Sequence, residues 1–589
     1  MTRALVLGVL AVLLAACTQV PMAQPEPPRP EPTVQPEPTE LVVALEDLGA
    51  GFNPHLVAHS SPLTTAVATL VLPSVFRPAP DGSLALDTTI ATSAEVVSEE
   101  PFTVSYELNL EASWSTNTPI AAEDFVYLWE QMRADAGVAD AAGYRLITEV
   151  RSRAGGKAVD VVFAEPYPAW RTLFSELLPA HLLKDAPGSW IGALTGGIPA
   201  SGGPFRISSV DLNRGEVVLA RNDTYWDVPS RLDTLVFRRL DDGAMAAGLG
   251  VGDVDVALPE ADPAIRTALG AVTPAPRIQP APLPTVTQIG LRADSGPLRV
   301  AAARRGLAAL IDREAVRRAV APESLPAEAF ALAPSQPGYA PTAPDGAPAR
   351  PDPIAAEQLL SSAGWTRGEE GSWNVDGQPV QLVIGAAAER TEDQRVAQLV
   401  AAQLGVAGIN TTVVEAPAVE LFATPTVPAD TSATSTSATT PPATPEQTAV
   451  PEENAVPEED AVPEDRLRVD LIVGPRTVGR DAGTQLASDY GCALPTELVA
   501  DPPLPPTGFC LPALQLVLES LAAGGEPADA ERFAVAEQLL WTQLPALPLY
   551  QPVSLVVSSP AADAATGVGP GPLIEGPLAG AATWRPPAG

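Results

Sequence analysis

His55 and His59 stand four residues apart in "GFNPHLVAHSSP", a spacing that on a helix lets two imidazoles share a metal. Pro54 and the Ser-Ser-Pro that follows work against a regular helix, and no neighbouring Cys or carboxylate completes a ligand set. No metal is expected there. The segment reads either as a polar loop lining a cleft or as a solvated loop. The third histidine, His181 in "LPAHLLK", sits among apolar residues and reads as structural. The chain contains no G-x-S-x-G elbow, no G-x-x-x-x-G-K-[ST] loop and no H-E-x-x-H. With 71 acidic residues, no carboxylate pair can be singled out as a hydrolytic dyad. The expectation is a protein that is not an enzyme, with no catalytic residue and no cofactor.

Cysteine carries the next signal. "MTRALVLGVLAVLLAAC" has one basic residue, Arg3, and an uncharged apolar run from Ala4 to Leu14. That run is shorter than the roughly 20 residues needed to span a bilayer, and it reads as a signal segment covering 1–16. Its end, "LAAC", resembles a bacterial lipobox, with Cys17 as the lipid-bearing first residue of the mature chain. The expected location is the extracytoplasmic face of the cell membrane, lipid-anchored. Residues 17–39 are rich in proline and read as a semi-rigid tether. Cys492 and Cys510 remain, and an even pair in an exported protein favours a disulfide. The net charge of −36 leaves no basic footprint, so no nucleic-acid partner is expected.

A chain of 589 residues exceeds one ordinary core. "ELVVALED" opens the folded part as a buried strand. "PFTVSYELNLEASW" and "GKAVDVVFAEPYP" alternate as half-buried strands do. "GPFRISSVDLNRGEVVLARNDTYW" reads as a hairpin with its turn near Asn213-Arg214-Gly215. In "SWSTNTPIAAEDFVYLWEQM", Thr118 is a natural N-cap and Pro119 a natural first helical residue. Phe125, Leu128, Trp129 and Met132 then form one apolar face. From Leu298 helices take over: "LRVAAARRGLAALIDREAVRRAV" reads as one long amphipathic element, followed by helices over 352–365 and 391–409. Residues 424–465 are rich in Thr, Ser, Pro and Ala and end in "AVPEENAVPEEDAVPED", which reads as a disordered insertion. "LRVDLIVG" is a further buried strand. The whole is an α/β chain of two lobes.

"WSTNTPIAAEDF" at 114–125 resembles the W-S-x-x-x-P-I-x-A-x-D-F signature of family 5 solute-binding proteins, the peptide- and nickel-binding lipoproteins of ABC importers. "SGGPFRI", "GEVVLARNDTYW", "GVGDVDVA", "RRGLAALIDREAV", "AEQLLSSAGW" and "LPALPLY" are similar to further motifs of that family, in the same order. The resemblance implies a two-lobed periplasmic-binding-protein-like fold of the class C type, with an extra subdomain on the first lobe. The first lobe would comprise 40–85, 203–281 and 553–589, the subdomain 86–202, and the second lobe 282–552. It also implies a monomer that captures a peptide-like or amphiphilic ligand for an ABC permease. The loop after the first strand would face the cleft, making Phe52, Asn53, His55 and His59 candidate ligand-binding residues.

Other segments, "LVLPSVFRP", "AEPYPAWRTLFSELLPAHLLKD" and "PSQPGYAPTAP", are similar to actinobacterial lipoproteins of the same fold. Those are tied to phosphatidylinositol mannoside and lipoarabinomannan assembly. That likeness implies the alternative: an accessory factor that binds a glycolipid or an envelope-assembly membrane protein, without an importer. Peptide binders of family 5 commonly follow the second-lobe strand with Trp-x-x-Asp, whose carboxylate receives the peptide ammonium. Here "PRTVGRDAG" lacks both and offers Arg476 and Arg480, with Asp481 as a partner for one of them. An unpaired guanidinium there would suit phosphate or carboxylate.

Overall fold

The computed structural model describes residues 39–79, 83–294, 296–368, 371–422, 467–492, 494–500, 502–503, 505–524 and 529–586. The expected signal segment, Cys17, nearly all of the expected tether and the expected insertion at 424–465 lie outside them. The apolar run Glu40–Leu45 is buried from its second residue onward, as expected of a strand covered on both faces. It pairs in parallel with Thr234–Arg239 on one side and with Val256–Leu258 on the other. The full sheet has seven strands: Arg277–Pro282, Val553–Ser558, Val256–Leu258, Glu40–Leu45, Thr234–Arg239, Glu216–Arg221 and Phe205–Asp211. The last two are the expected hairpin, turning at a Gly215 with φ +68°.

A second sheet of six strands carries the other lobe: Leu325–Pro326, Ala546–Gln551, Thr285–Leu291, Leu471–Thr477, Gln381–Ala387 and Asn410–Ala416. Two chain passages join the sheets. Arg277–Pro282 runs into Thr285–Leu291 through Leu283-Pro284, and Ala546–Gln551 runs into Val553–Ser558 through Pro552. The passages are bonded to each other, Leu283 N–H donating to Pro552 O (2.9 Å) and Gln551 Nε2 to Leu283 O (2.9 Å). They form a paired hinge between the lobes.

The subdomain on the first lobe is a four-stranded antiparallel sheet, Ala91–Glu99, Phe102–Leu108, Ala158–Phe163 and Ile147–Arg153, backed by the helix Ala122–Ala134. That helix begins later than Thr118 and Pro119 suggest. The Asp124 carboxylate reaches back to Ala121 N–H (2.9 Å) and also accepts from the buried Trp114 indole (3.2 Å) and from Ala180 N–H (3.0 Å). A carboxylate that closes the helix start, anchors a tryptophan and ties down a distant chain outcompetes a local threonine cap. Burial still pushes the Asp124 carboxyl up to about 6, against these three donors.

The element expected from 298 to 320 is two helices, Ala301–Ala308 and Arg313–Val320. Ile311 is buried between them and Asp312 caps the second through Ala315 N–H (2.9 Å). No helix among the described residues is long and apolar enough to cross a membrane.

Candidate functional site

Two adjoining cavities lie between the lobes, with Thr477 lining both. The first has an empty volume of about 970 Å³ and is lined by Pro54, His55, Asp140, Glu176, Arg480 and Thr484, among others. The second, of about 1010 Å³, is lined by Val57, Arg145, Phe422, Arg476, Asp489 and Tyr490, among others. In each, walls come from the first lobe or its subdomain on one side and from the Leu471–Thr477 strand and the helix Ala482–Tyr490 on the other.

The lobes touch across these cavities. Arg480 Nη2 lies 2.7 Å from Glu176 Oε1, Tyr167 Oη 2.7 Å from Thr484 Oγ1, and Ala142 N–H donates to Ser488 Oγ at 3.0 Å. Gly479 is constrained by the same contact: a Cβ there would stand 2.4 Å from the nearer Asp140 carboxylate oxygen.

Charge in the first cavity is nearly, but not completely, paired. Burial raises the Glu176 carboxyl, but the Arg480 guanidinium and His55 outweigh it and leave it below its ordinary value. Asp140 is pushed up to about 7, first by burial and then by Asp489, although it accepts from the Arg480 backbone N–H. One Asp140 oxygen, Oδ1, and Arg480 Nη1 are buried without a hydrogen-bond partner. An incoming polar group therefore meets one free donor and one free acceptor.

The predicted loop residues divide. Phe52 is core, 2% exposed, and Asn53 is fully buried, its Oδ1 accepting from His55 N–H (3.0 Å) in a local turn. His59 Nδ1 accepts from Asn53 N–H (3.2 Å), and burial pushes the ring down to about 4. Only His55 of the four lines a cavity; it bonds Glu176 O through Nε2 (3.0 Å) and stacks on Trp190. Burial lowers its pKa as well, against the pull of Glu176. The two histidines do not converge. Among the described residues, no group of three or more His, Cys, Asp or Glu side chains is arranged to hold a metal.

Arg476 and Arg480 both reach the cleft, and both have acid partners: Arg476 Nη1 lies 3.5 Å from Asp489 Oδ2, and Arg480 meets Glu176. Asp481, the partner suggested by adjacency, instead caps the helix Ala482–Tyr490 through Thr484 N–H (2.8 Å). Cys492 and Cys510 are joined by a disulfide. Sequence reasoning missed Asp140, Arg145, Glu176 and Phe422. Phe422 has a trace in the sequence, since the ring packs over Gly474, where a Cβ would stand 2.3 Å from it. The others carry no distinguishing spacing.

The model of the bacterial extracellular solute-binding proteins, family 5, matches residues 86–449. The chain belongs to that family. It is 34% identical over 520 residues to the probable monoacyl phosphatidylinositol tetramannoside-binding protein LpqW of Mycobacterium tuberculosis, covering 82% of this chain and 75% of LpqW. It is 29% identical over 393 residues to the oligopeptide-binding protein OppA of Mycobacterium bovis, covering 62% of this chain and 63% of OppA. Among solved structures, the oligopeptide-binding protein AppA of Bacillus subtilis, in complex with a nonapeptide, superposes with a TM-score of 0.70 at 15% identity, over 93% of this chain and 99% of AppA. The periplasmic EDTA-binding protein EppA gives 0.68 at 22% identity, over 94% and 97%. These two likenesses establish the two-lobed fold. The family is one of extracellular solute-binding proteins.

Proposed function

We propose that the protein is a non-enzymatic capture protein that closes its lobes over a peptide-like or amphiphilic ligand on the outer side of the cell membrane, for delivery to an ABC transporter. The observation that carries the reading is the pair of adjoining cavities between the lobes, with buried charged groups contributed from both walls. Domain junctions of this kind are where ligands of such size are held. His55, Arg480 and Asp140 are the groups we assign to the ligand's polar part, because each faces the first cavity. Phe52, Asn53 and His59 act behind them, fixing the loop. Cys17 supplies the lipid anchor in this reading.

A second reading has its own support. The likeness to LpqW extends over 82% of the chain, and the strand that in peptide binders leads to Trp-x-x-Asp leads here to Arg476 and Arg480. Both features favour an accessory factor that holds a glycolipid for an envelope-assembly enzyme. Calorimetric titration with phosphatidylinositol mannosides and with short free-amino-terminus peptides separates the two. Arg480→Gln should weaken the ligand that binds in the first cavity. Binding of neither class, with no mass co-purifying on the native protein, would overturn the capture reading.

A further inference from the structure

A third cavity opens beside the second, on the side of the disulfide. It has an empty volume of about 1260 Å³ and adjoins the second cavity, with Arg145 and Gly491 lining both. One wall is subdomain, Arg133, Ala142, Leu146, Ile147 and Ala164. The other is the disulfide-closed segment and the helix Pro512–Ala522, with Leu494, Leu498, Val499, Pro502 and Leu518. This groove is largely apolar, and two of its lining leucines reach solvent: Leu494 is 53% exposed and Leu498 47%. Clustered exposed leucines at the mouth of a groove mark a place where something apolar is received.

Arg145 lines both groove and second cavity and Arg133 lines the groove, and neither has an acid partner among the described residues. Arg133 Nε and Nη1 and Arg145 Nε are buried and have no hydrogen-bond partner. The Arg133 guanidinium lies over the Trp129 ring at 4.3 Å, a cation–π contact that satisfies none of its N–H donors. Burial alone lowers the Arg145 pKa, with no neighbouring carboxylate to oppose it. The acids that line these two cavities are otherwise engaged or set apart. Asp135 accepts from the Trp190 indole, Asp489 from Gln485 (2.7 Å) and Arg476, and Glu519 from Gln515 (3.0 Å). The Glu165 carboxyl is raised by burial and by Glu519. Unmet, buried guanidinium donors call for an oxyanion that accepts several hydrogen bonds at once.

We propose that Arg133 and Arg145 seat the phosphate of an acylated phospholipid, and that its acyl chain lies along the groove between the subdomain and the 492–510 segment. The inference rests on the amphiphile reading of the cleft and names where each half of that ligand goes. The polar head continues from Arg145 into the second cavity, and the chain runs outward over Leu498. The disulfide holds the outer wall in place.

The test titrates the full-length protein with two probes, lysophosphatidylinositol below its critical micelle concentration and the chain-free glycerophosphoinositol. Lysophosphatidylinositol should bind roughly tenfold or more tightly than glycerophosphoinositol, each buried methylene adding to affinity. Leu498→Glu, at a half-exposed site, should remove that gain and leave glycerophosphoinositol unchanged. Arg145→Gln should weaken both probes by roughly tenfold or more, the effect of losing hydrogen bonds to a charged group, and Arg145→Lys should restore part of it. Thermal melting of each variant controls for folding. Equal affinity for the two probes, or no effect of Arg145→Gln, overturns the seat while cleft capture stands. Tight binding of short peptides with no binding of either probe overturns both the seat and the amphiphile reading.

Discussion

Beside the hinge, next to the first cavity, five carboxylates line a cavity of about 1430 Å³: Glu46, Asp47 and Glu260 from the first lobe, and Glu389 and Glu392 from the second. Glu46 Oε1 accepts from Glu260 N–H (3.3 Å), and Tyr550 Oη donates to Glu392 Oε1 (2.5 Å). The arginines at hand are committed: Arg390 to Asp393 (2.6 Å) and Ser60 O (3.0 Å), and Arg395 to Ala319 O (3.1 Å). Arg239 also lines the cavity, and Asp242 adds charge beside Glu46. Burial, then Glu392 and Glu46, pushes Glu260 up to about 9. Burial, then Asp242, pushes Glu46 up to about 7.

Glu260 and Glu392 face each other from opposite lobes, and Glu392 adds to burial in raising the Glu260 carboxyl, so the closed arrangement holds the Glu260 proton more tightly than an open one in which both are solvated. A carboxyl with a raised pKa stabilises the closed state fully below its open-state value, near 4.5, and loses that contribution as pH rises towards 9. One pKa unit is about 1.4 kcal/mol. Water in the cavity shields part of the repulsion, leaving about 2–3 kcal/mol, a shift of roughly 30- to 150-fold in closing between pH 5 and pH 9. The assay is inter-lobe distance, by paired spin labels or small-angle scattering, against pH. Wild type should open as pH rises. Glu260→Gln, whose amide donates at every pH, should flatten the curve. An unchanged curve in that variant, or closing on alkalinisation, would refute the reasoning.

Four other outcomes follow from the structure. Asp124→Ala strands the donors of Trp114, Ala121 and Ala180, costing about 1–3 kcal/mol for each group left buried and unmet. Chemical denaturation should show a loss of several kcal/mol, smaller for Asp124→Asn. Gly474→Ala drives a methyl into the Phe422 ring, and overpacking of this kind costs about 1–3 kcal/mol. A Phe422→Leu second change should recover part of the lost melting temperature. Cys492→Ser with Cys510→Ser opens a loop spanning a sequence separation of 18, worth roughly 3 kcal/mol on the chain-entropy account; a reducing-agent melt of wild type should match the double variant. Cys17→Ala should leave an unprocessed precursor or release the protein to the medium, read by fractionation; a normally cleaved, membrane-bound variant would count against the lipid anchor.

What could be read along the chain is what neighbouring residues decide among themselves. Glu40–Leu45 is a strand because its run is apolar, and the hairpin from Phe205 to Arg221 turns where Gly215 permits. Where a distant partner competes, local rules lose. Thr118 has the chemistry of a cap, yet Asp124 starts the helix because Trp114 and Ala180 share its carboxylate. The site shows the same division more sharply. Arg476 and Arg480 fall at the cleft because the strand Leu471–Thr477 leads there, but whether either is free depends on Asp489 and on Glu176, the latter 304 residues away. Arg133 and Arg145 are ordinary in the sequence, one near a helix end and one after a tyrosine. Their interest is that no acid among the described residues meets them, and a missing partner is a property of the folded neighbourhood alone. The residues most open to a ligand are therefore those a linear reading ranks lowest, because a spacing motif records contacts the chain makes with itself and a binding site is made of those it leaves unmade.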